Sequence, residues 1–329
     1  MREAVLVSTA RTPIGKAFKG AFNDTQAQAL AGHAISEAVK RSGVAKEEID
    51  DVVIGAASQQ GTQQGNIARQ ALLRAGLPVS VAGMSLDRQC ASGMMAIATA
   101  AKEIIEDGMT ITVGGGVESV SLTRNEHFRT DRARDPWFET YLPTLYMTMI
   151  ETAENVAQRY GISREAQDEY SYQSQMRTAN AQNSGLLDTE IVPLKSQMKI
   201  KEKETGKILI KEVTLKNDEG NRPNTTLDGL SSLEPVFKDG IYLKKGNYIT
   251  AGNASQLSDG ASASVLMEAK EVEKRGLQPL GIYRGISVAG CEPDEMGIGP
   301  VFAVPKLLKQ HNLKIDDIGL WELNEAFAS

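Results

Sequence analysis

The residue best placed for chemistry is Cys90, in the run Ser-Leu-Asp-Arg-Gln-Cys-Ala-Ser-Gly-Met-Met-Ala-Ile-Ala-Thr-Ala-Ala at residues 85–101. Ala91, Met94, Met95, Ala96, Ile97, Ala98, Ala100 and Ala101 are good helix formers and apolar on nearly every face, which predicts a buried helix. The start of such a helix offers free N–H groups and the positive end of its dipole, and both favour thiolate over thiol. Ala91, Ser92 and Gly93 leave room for a substrate to reach the sulfur. A nucleophile is one reading of Cys90; a buried structural cysteine acting as a small hydrophobe is the other.

The elements that must position this cysteine belong to an ordinary globular chain. Its 329 residues suffice for about two domains, and 41% hydrophobic with 24% charged residues is a soluble composition. A net charge of −6 without a basic stripe argues against nucleic acid, so any phosphate-bearing ligand must be held by a few local groups. Cys90 and Cys291 are too few for a disulfide scaffold and lack metal-ligand spacing, which fits a reducing cytoplasm. Residues 1–13 carry no signal pattern and no apolar run reaches membrane-spanning length, so no membrane association is expected.

Strand and helix signals alternate along the chain. Residues 4–8 and 51–57 read as strands, 25–42 as an amphipathic helix, and 66–75 as a helix closed by Gly76. Residues 110–113 form a strand running into Gly114-Gly115-Gly116-Val117-Glu118-Ser119. These glycines allow close backbone approach, and their spacing fits neither the dinucleotide nor the P-loop pattern. From about 122 to 248 the texture changes: a polar, broken stretch, one or two helices over 152–183, and a charged 195–216 segment with a hairpin-like Thr205-Gly206-Lys207 turn. The stretch reads as an insertion carried by an α/β core, of the kind that covers sites or joins subunits.

Residues 34–55 and 302–322 share a helix, a short turn, the tripeptide Ile-Asp-Asp and then a strand, which suggests a duplicated half. The first copy continues through the Cys90 elbow and the glycine-bearing strand. A second copy of similar length would run past Ser329, so the second half is expected to be incomplete.

Ala10-Arg11-Thr12-Pro13-Ile14-Gly15, the Cys90 elbow, residues 114–119, residues 250–261 and Asn324-Glu325-Ala326-Phe327-Ala328 together resemble the signatures of the thiolases, the acyl-CoA C-acyltransferases. They occur in the family's order and cover the whole chain. The resemblance implies an α/β fold of two similar halves in an αβαβα layered sandwich with an inserted loop domain. It divides the chain into an N-terminal domain over 1–268, with its insertion at about 122–248, and the start of a C-terminal domain over 275–329. It further implies a homodimer or homotetramer with no permanently bound cofactor, taking coenzyme A and acyl-CoA as substrates, and the cysteine usage and missing signal pattern make the expected location cytoplasmic. The reaction is reversible: thiolysis of 3-ketoacyl-CoA to acyl-CoA and acetyl-CoA, or Claisen condensation, through an acyl group on Cys90.

By the same resemblance Asn324 holds a water against the enolate oxygen of acetyl-CoA; its own setting, without the resemblance, reads first as a turn or helix cap after a 319–323 strand. Ser255 matches the serine that meets the pantetheine arm, where a plain turn is the other reading. Arg222 falls where an arginine stacks near adenine, although a loop arginine on the surface is the default. Phe237, Met149 and Phe327 match apolar contacts to the cofactor or its pocket, and Met296 would line the acyl end. Such Met and Phe residues are also ordinary core.

Three departures stand out. Asp87 replaces the usual Asn before the cysteine, Gln256 replaces the Gly after the serine, and Thr148 replaces the histidine of the biosynthetic acetoacetyl-CoA class, which leans toward a degradative thiolase. The family's Gly-His-Pro histidine and second catalytic cysteine are not found within residues 1–329. On that ground this stretch alone is expected to give little or no thiolysis, and a noncatalytic acyl-CoA-binding protein is the alternative function.

Overall fold

The computed structural model describes residues 2–202 and 204–329, which gather into two compact units. The first unit comprises Met1–Phe128, Ser184–Gly220 and Leu257–Arg284; the second comprises Arg129–Asn183, Asn221–Gln256 and Gly285–Ser329.

The first unit is built on a seven-stranded mixed sheet. Its strands are β1 (Ala4–Arg11), β2 (Gly15–Lys16), β3 (Asp51–Gly55), β4 (Ala82–Leu86) and β5 (Ile111–Ser119). After β6 (Leu194–Lys201) and β7 (Ile208–Leu215), which pair only with each other, the sheet is completed by β8 (Ser258–Glu268) and β9 (Gly281–Ile282). The order is β4-β3-β5-β8-β1-β9, with β2 paired to β8. β3 runs parallel to both β4 and β5, while β8 is antiparallel to β5 and β1.

Side-chain period explains the layers. Val52, Val53 and Ile54 of β3 are all fully buried, because the strand is covered on both faces and so reads as a continuous apolar run. Val52 and Ile54 pack with α1 (Ala27–Ser42) and α2 (Ile67–Arg74). Val53 faces the other way, with Ala96, Ala100, Ala101 and Ile104 of α3 (Ser92–Ile105). The result is helix, sheet, helix, and the mixed α/β class expected from the sequence is borne out.

Local signals set the element ends. Ala27, Leu30, Ala31, Ala34, Ile35 and Ala38 form the buried stripe of α1, and Gly43 closes it in the left-handed region at φ 71°. Asn66 caps α2 by accepting the Arg69 N–H at 3.0 Å. The 195–216 stretch is the β6–β7 hairpin, turning at Gly206 with φ 69°.

In the second unit the 152–183 stretch is two helices, Met149–Tyr160 and Arg164–Asn183. The helix and turn of the repeat recur, in a different register from the shared tripeptide. The helix Gly299–Gln310 is followed by left-handed Asn312 at φ 53°, as α1 is by Gly43. The Glu48 side chain then accepts the Ala45 N–H at 2.9 Å, and Asp317 accepts the Lys314 N–H at 2.8 Å. Lys46–Glu48 and Ile315–Asp317 are thus the matching short 3₁₀ turns, and the two Ile-Asp-Asp triplets stand three positions apart in the repeat. The expected 319–323 strand does not form among the described residues, since no neighbouring strand bonds to it.

Candidate functional site: the Cys90 elbow and the scaffold of Ser255 and Asn324

Cys90 lies in the first unit, exposed, in the turn that joins β4 to α3. The turn is tied by side chains. Ser92 Oγ accepts the Arg88 N–H at 2.8 Å and donates to the Gln89 carbonyl at 2.6 Å, and Asp87 accepts the Gln89 N–H at 2.6 Å. These bonds hold Gln89 in the left-handed region at φ 48°, a conformation a non-glycine residue keeps only when its surroundings insist. Sequence reasoning assigned Ser92 to open space beside the sulfur; its hydroxyl in fact locks the elbow, and the side chain is buried.

The start of α3 rests directly on the sheet. A Cβ on Gly55 of β3 would strike the Ser92 carbonyl, and one on Gly114 of β5 would come within 2.6 Å of the Ile97 Cα. The glycine run is therefore a strand that lets α3 sit close, and it brings the helix N-terminus up under Cys90. Four N–H groups at such an end have no intrahelical carbonyl to bond, which makes it a natural place for developing negative charge.

Farther along α3, Glu103 is buried with its Oε2 unpaired, and burial, then Asp51 and Asp107, push its carboxyl up to about 7. Burial likewise raises the Cys291 thiol in the second unit, helped by Glu295 and Glu292. The two cysteines have different surroundings.

The remaining sequence-predicted residues all fall in the second unit. Ser255 and Phe327 meet there: residue 254 bridges residue 327, the Ser255 N–H donates to the Ala326 carbonyl at 2.9 Å, and the Ala328 N–H donates to the Asn253 carbonyl at 3.1 Å. Asn324 precedes this pairing in an irregular, exposed segment. Phe237 is buried, and Cβ atoms on Gly240 or Gly246 would run into it. Met149 and Met296 are exposed at 41% and 43%, which leaves both free to line a pocket. Arg222 is exposed, with its backbone N–H donating to Gln175 Oε1 at 2.7 Å.

A pair of buried carboxylates that sequence reasoning missed organises the loop between Phe237 and Ser255. Glu151 accepts N–H groups from Ile241, Tyr242 and Leu243 at 3.0, 2.7 and 3.1 Å. One turn on, Glu154 accepts from Asn247, Tyr248 and Ile249. Asn253 is held in turn by Asp168 at 3.1 Å and by the Tyr248 carbonyl at 2.9 Å. Among the described residues no cluster of His, Cys, Asp or Glu could hold a metal, and no helix is long and apolar enough to cross a membrane.

Family models match on both sides of residue 270: "Thiolase, N-terminal domain" over residues 4–270 and "Thiolase, C-terminal domain" over 277–329. The chain belongs to the thiolase family. It is 41% identical to a 3-ketoacyl-CoA thiolase of Bacillus subtilis, over 100% of this chain and 82% of that protein. Against the mouse peroxisomal 3-ketoacyl-CoA thiolase B it is 37% identical, over 99% of this chain and 74% of the relative. The solved Bacillus anthracis acetyl-CoA acetyltransferase superposes with a TM-score of 0.84 at 39% identity, covering 100% of this chain and 81% of that one. This thiolase is accordingly an acyltransferase enzyme. Its departure at Thr148 has a structural role, since the Thr148 hydroxyl caps the Met149–Tyr160 helix by accepting the Glu151 N–H at 3.3 Å.

Proposed function

We propose that this thiolase cleaves 3-ketoacyl-CoA by transferring its acyl group to Cys90 and then to coenzyme A. The exposure of Cys90 at a tightly seated helix start is the observation that carries the reading. The Cys90 sulfur attacks the 3-keto carbon, the C2–C3 bond breaks, and the departing acetyl-CoA enolate takes up a proton. Cys90 then holds the acyl group as a thioester. The thiol of a second coenzyme A attacks that carbonyl, its proton moves away, and acyl-CoA leaves with Cys90 regenerated.

Both acyl transfers put negative charge on a carbonyl oxygen, and the enolate step puts it on the thioester oxygen. Backbone N–H groups at the start of α3 suit the first, and a water held by Asn324 suits the second. Ser255, Arg222, Phe237, Phe327 and Met149 are proposed as coenzyme A contacts and Met296 as part of the acyl pocket. Thr148 in place of histidine, and the two relatives named 3-ketoacyl-CoA thiolase, support the degradative direction. A homo-oligomer without a permanent cofactor accords with the family, and two free cysteines suit a reducing compartment such as the cytoplasm.

Mass spectrometry of the protein expressed from its full coding sequence tests the mechanism. Incubation with acetoacetyl-CoA without free coenzyme A should leave one acetyl group, on Cys90, that added coenzyme A removes. Turnover with no acyl adduct on Cys90, or undiminished thiolysis by Cys90→Ala, would refute it.

A further inference from the structure

Asn324 lies in an irregular segment, yet a residue that holds a catalytic water must be fixed to within a fraction of an ångström. Downstream the segment is fixed by its pairing with residues 253–255. Between that pairing and Asn324, the adjoining residue Glu325 supplies a second anchor. Ser174 Oγ donates to Glu325 Oε2 at 2.7 Å, and the Tyr170 phenol hydrogen-bonds to the same carboxylate, whose charge holds the phenol proton on. Tyr170 and Ser174 are one turn apart on the Arg164–Asn183 helix, so one helix face presents two hydroxyls to one carboxylate.

That helix also controls the opposite end of the segment. Arg164 pairs with Asp168 at 2.8 Å and donates to the Leu230 and Leu233 carbonyls. Asp168 in turn holds Asn253, whose carbonyl accepts the Ala328 N–H. The stretch from Asn324 to Ala328 thus hangs from a single helix at both ends, through Glu325 on one side and Asn253 on the other.

We infer that Glu325 is a positioning residue, clamped by Tyr170 and Ser174 so that the Asn324 side chain stays where the enolate oxygen forms. The inference rests on the role proposed above for Asn324. It assigns Glu325, Tyr170 and Ser174 no contact with the reacting atoms. Loosening the clamp should therefore reduce the rate of the chemical step and leave coenzyme A binding alone.

The test compares Glu325→Ala, Glu325→Gln, Tyr170→Phe and Asn324→Ala in the protein expressed from its full coding sequence. Acetoacetyl-CoA thiolysis is measured together with amide hydrogen exchange. Glu325→Ala should lower kcat about tenfold with KM for coenzyme A unchanged, and Glu325→Gln, which keeps an acceptor oxygen, should recover part of it. Tyr170→Phe, at a half-exposed position where folding is not at stake, should give a smaller fall of the same kind. Exchange at the Ala328 and Ser255 amides should quicken in the Glu325 and Tyr170 variants and stay slow in Asn324→Ala.

Full kcat in both Glu325→Ala and Tyr170→Phe beside an impaired Asn324→Ala overturns the clamp alone. An active Asn324→Ala overturns the role of Asn324, and the catalytic sense of the clamp with it. A rise in KM with kcat intact would make Glu325 a binding residue and refute the inference.

Discussion

The two cysteines differ at the level of single groups, and the difference predicts their chemistry. Cys90 is exposed above a helix start, whereas burial and the charges of Glu295 and Glu292 raise the Cys291 thiol and keep it protonated. Iodoacetamide at neutral pH, followed by peptide mapping, should label Cys90 first and Cys291 slowly; the reverse order would count against the site. The buried hydroxyl of Ser92 sets the elbow beneath Cys90 through its bonds to the Arg88 N–H and the Gln89 carbonyl. Ser92→Ala should cost about 1 kcal/mol in urea unfolding, the net worth of hydrogen bonds whose remaining partners water can reach. It should also slow acylation of Cys90, since the Asp87 carboxylate and the Ser92 backbone N–H are then left to restrain Gln89 in its left-handed conformation. Unchanged stability and acylation would show that the elbow is held elsewhere. None of this was legible in the residue types, which mark a small serine beside a cysteine and not the direction in which its hydroxyl points.

The helices and strands show where sequence reasoning works and where it stops. The helix expected at 25–42 and the strand expected at 51–57 emerge nearly as read, because α1 has a periodic apolar stripe and β3 a continuous apolar run. Glu151 and Glu154 were invisible, because their partners are backbone N–H groups some ninety residues on, and backbone carries no signature in side-chain pattern. The repeat was legible as an order of elements but misleading as letters: one copy spends Ile-Asp-Asp on its 3₁₀ turn and the other on the approach to a strand. α3 itself yields a pH-dependent prediction. Glu103 titrates near 7 in the folded protein against an ordinary 4.5, so folding is unburdened below pH 4.5 and loses stability as pH rises through 7. The full penalty is on the order of 3 kcal/mol. Glu103→Gln should raise the melting temperature at pH 8 and leave it unchanged at pH 4; an equal gain at both would trace it to packing, not charge.

At the scale of the whole chain, short motifs in a fixed order disclosed the family, because each marks a backbone device such as a close-packed strand or an elbow. Charge at the same scale sets a problem for the substrate. The protein carries a net charge of −6, and coenzyme A is a polyanion, so long-range attraction does not bring them together. Affinity must come from local groups, and Arg222 is the cation that the family resemblance assigns to the nucleotide end. Its backbone N–H is anchored on Gln175 and its carbonyl accepts from Thr225, so truncating the guanidinium leaves the loop in place. Arg222→Ala should therefore raise KM for coenzyme A by about five- to tenfold, corresponding to roughly 1 kcal/mol, with kcat unchanged. Arg222→Lys should fall between, since an ammonium keeps the charge without the planar stacking surface. The gap between wild type and Arg222→Ala should narrow in 0.5 M salt, where an exposed charge is screened. Equal KM values for all three proteins at low salt would move the nucleotide site away from Arg222 and toward another cation of the second unit.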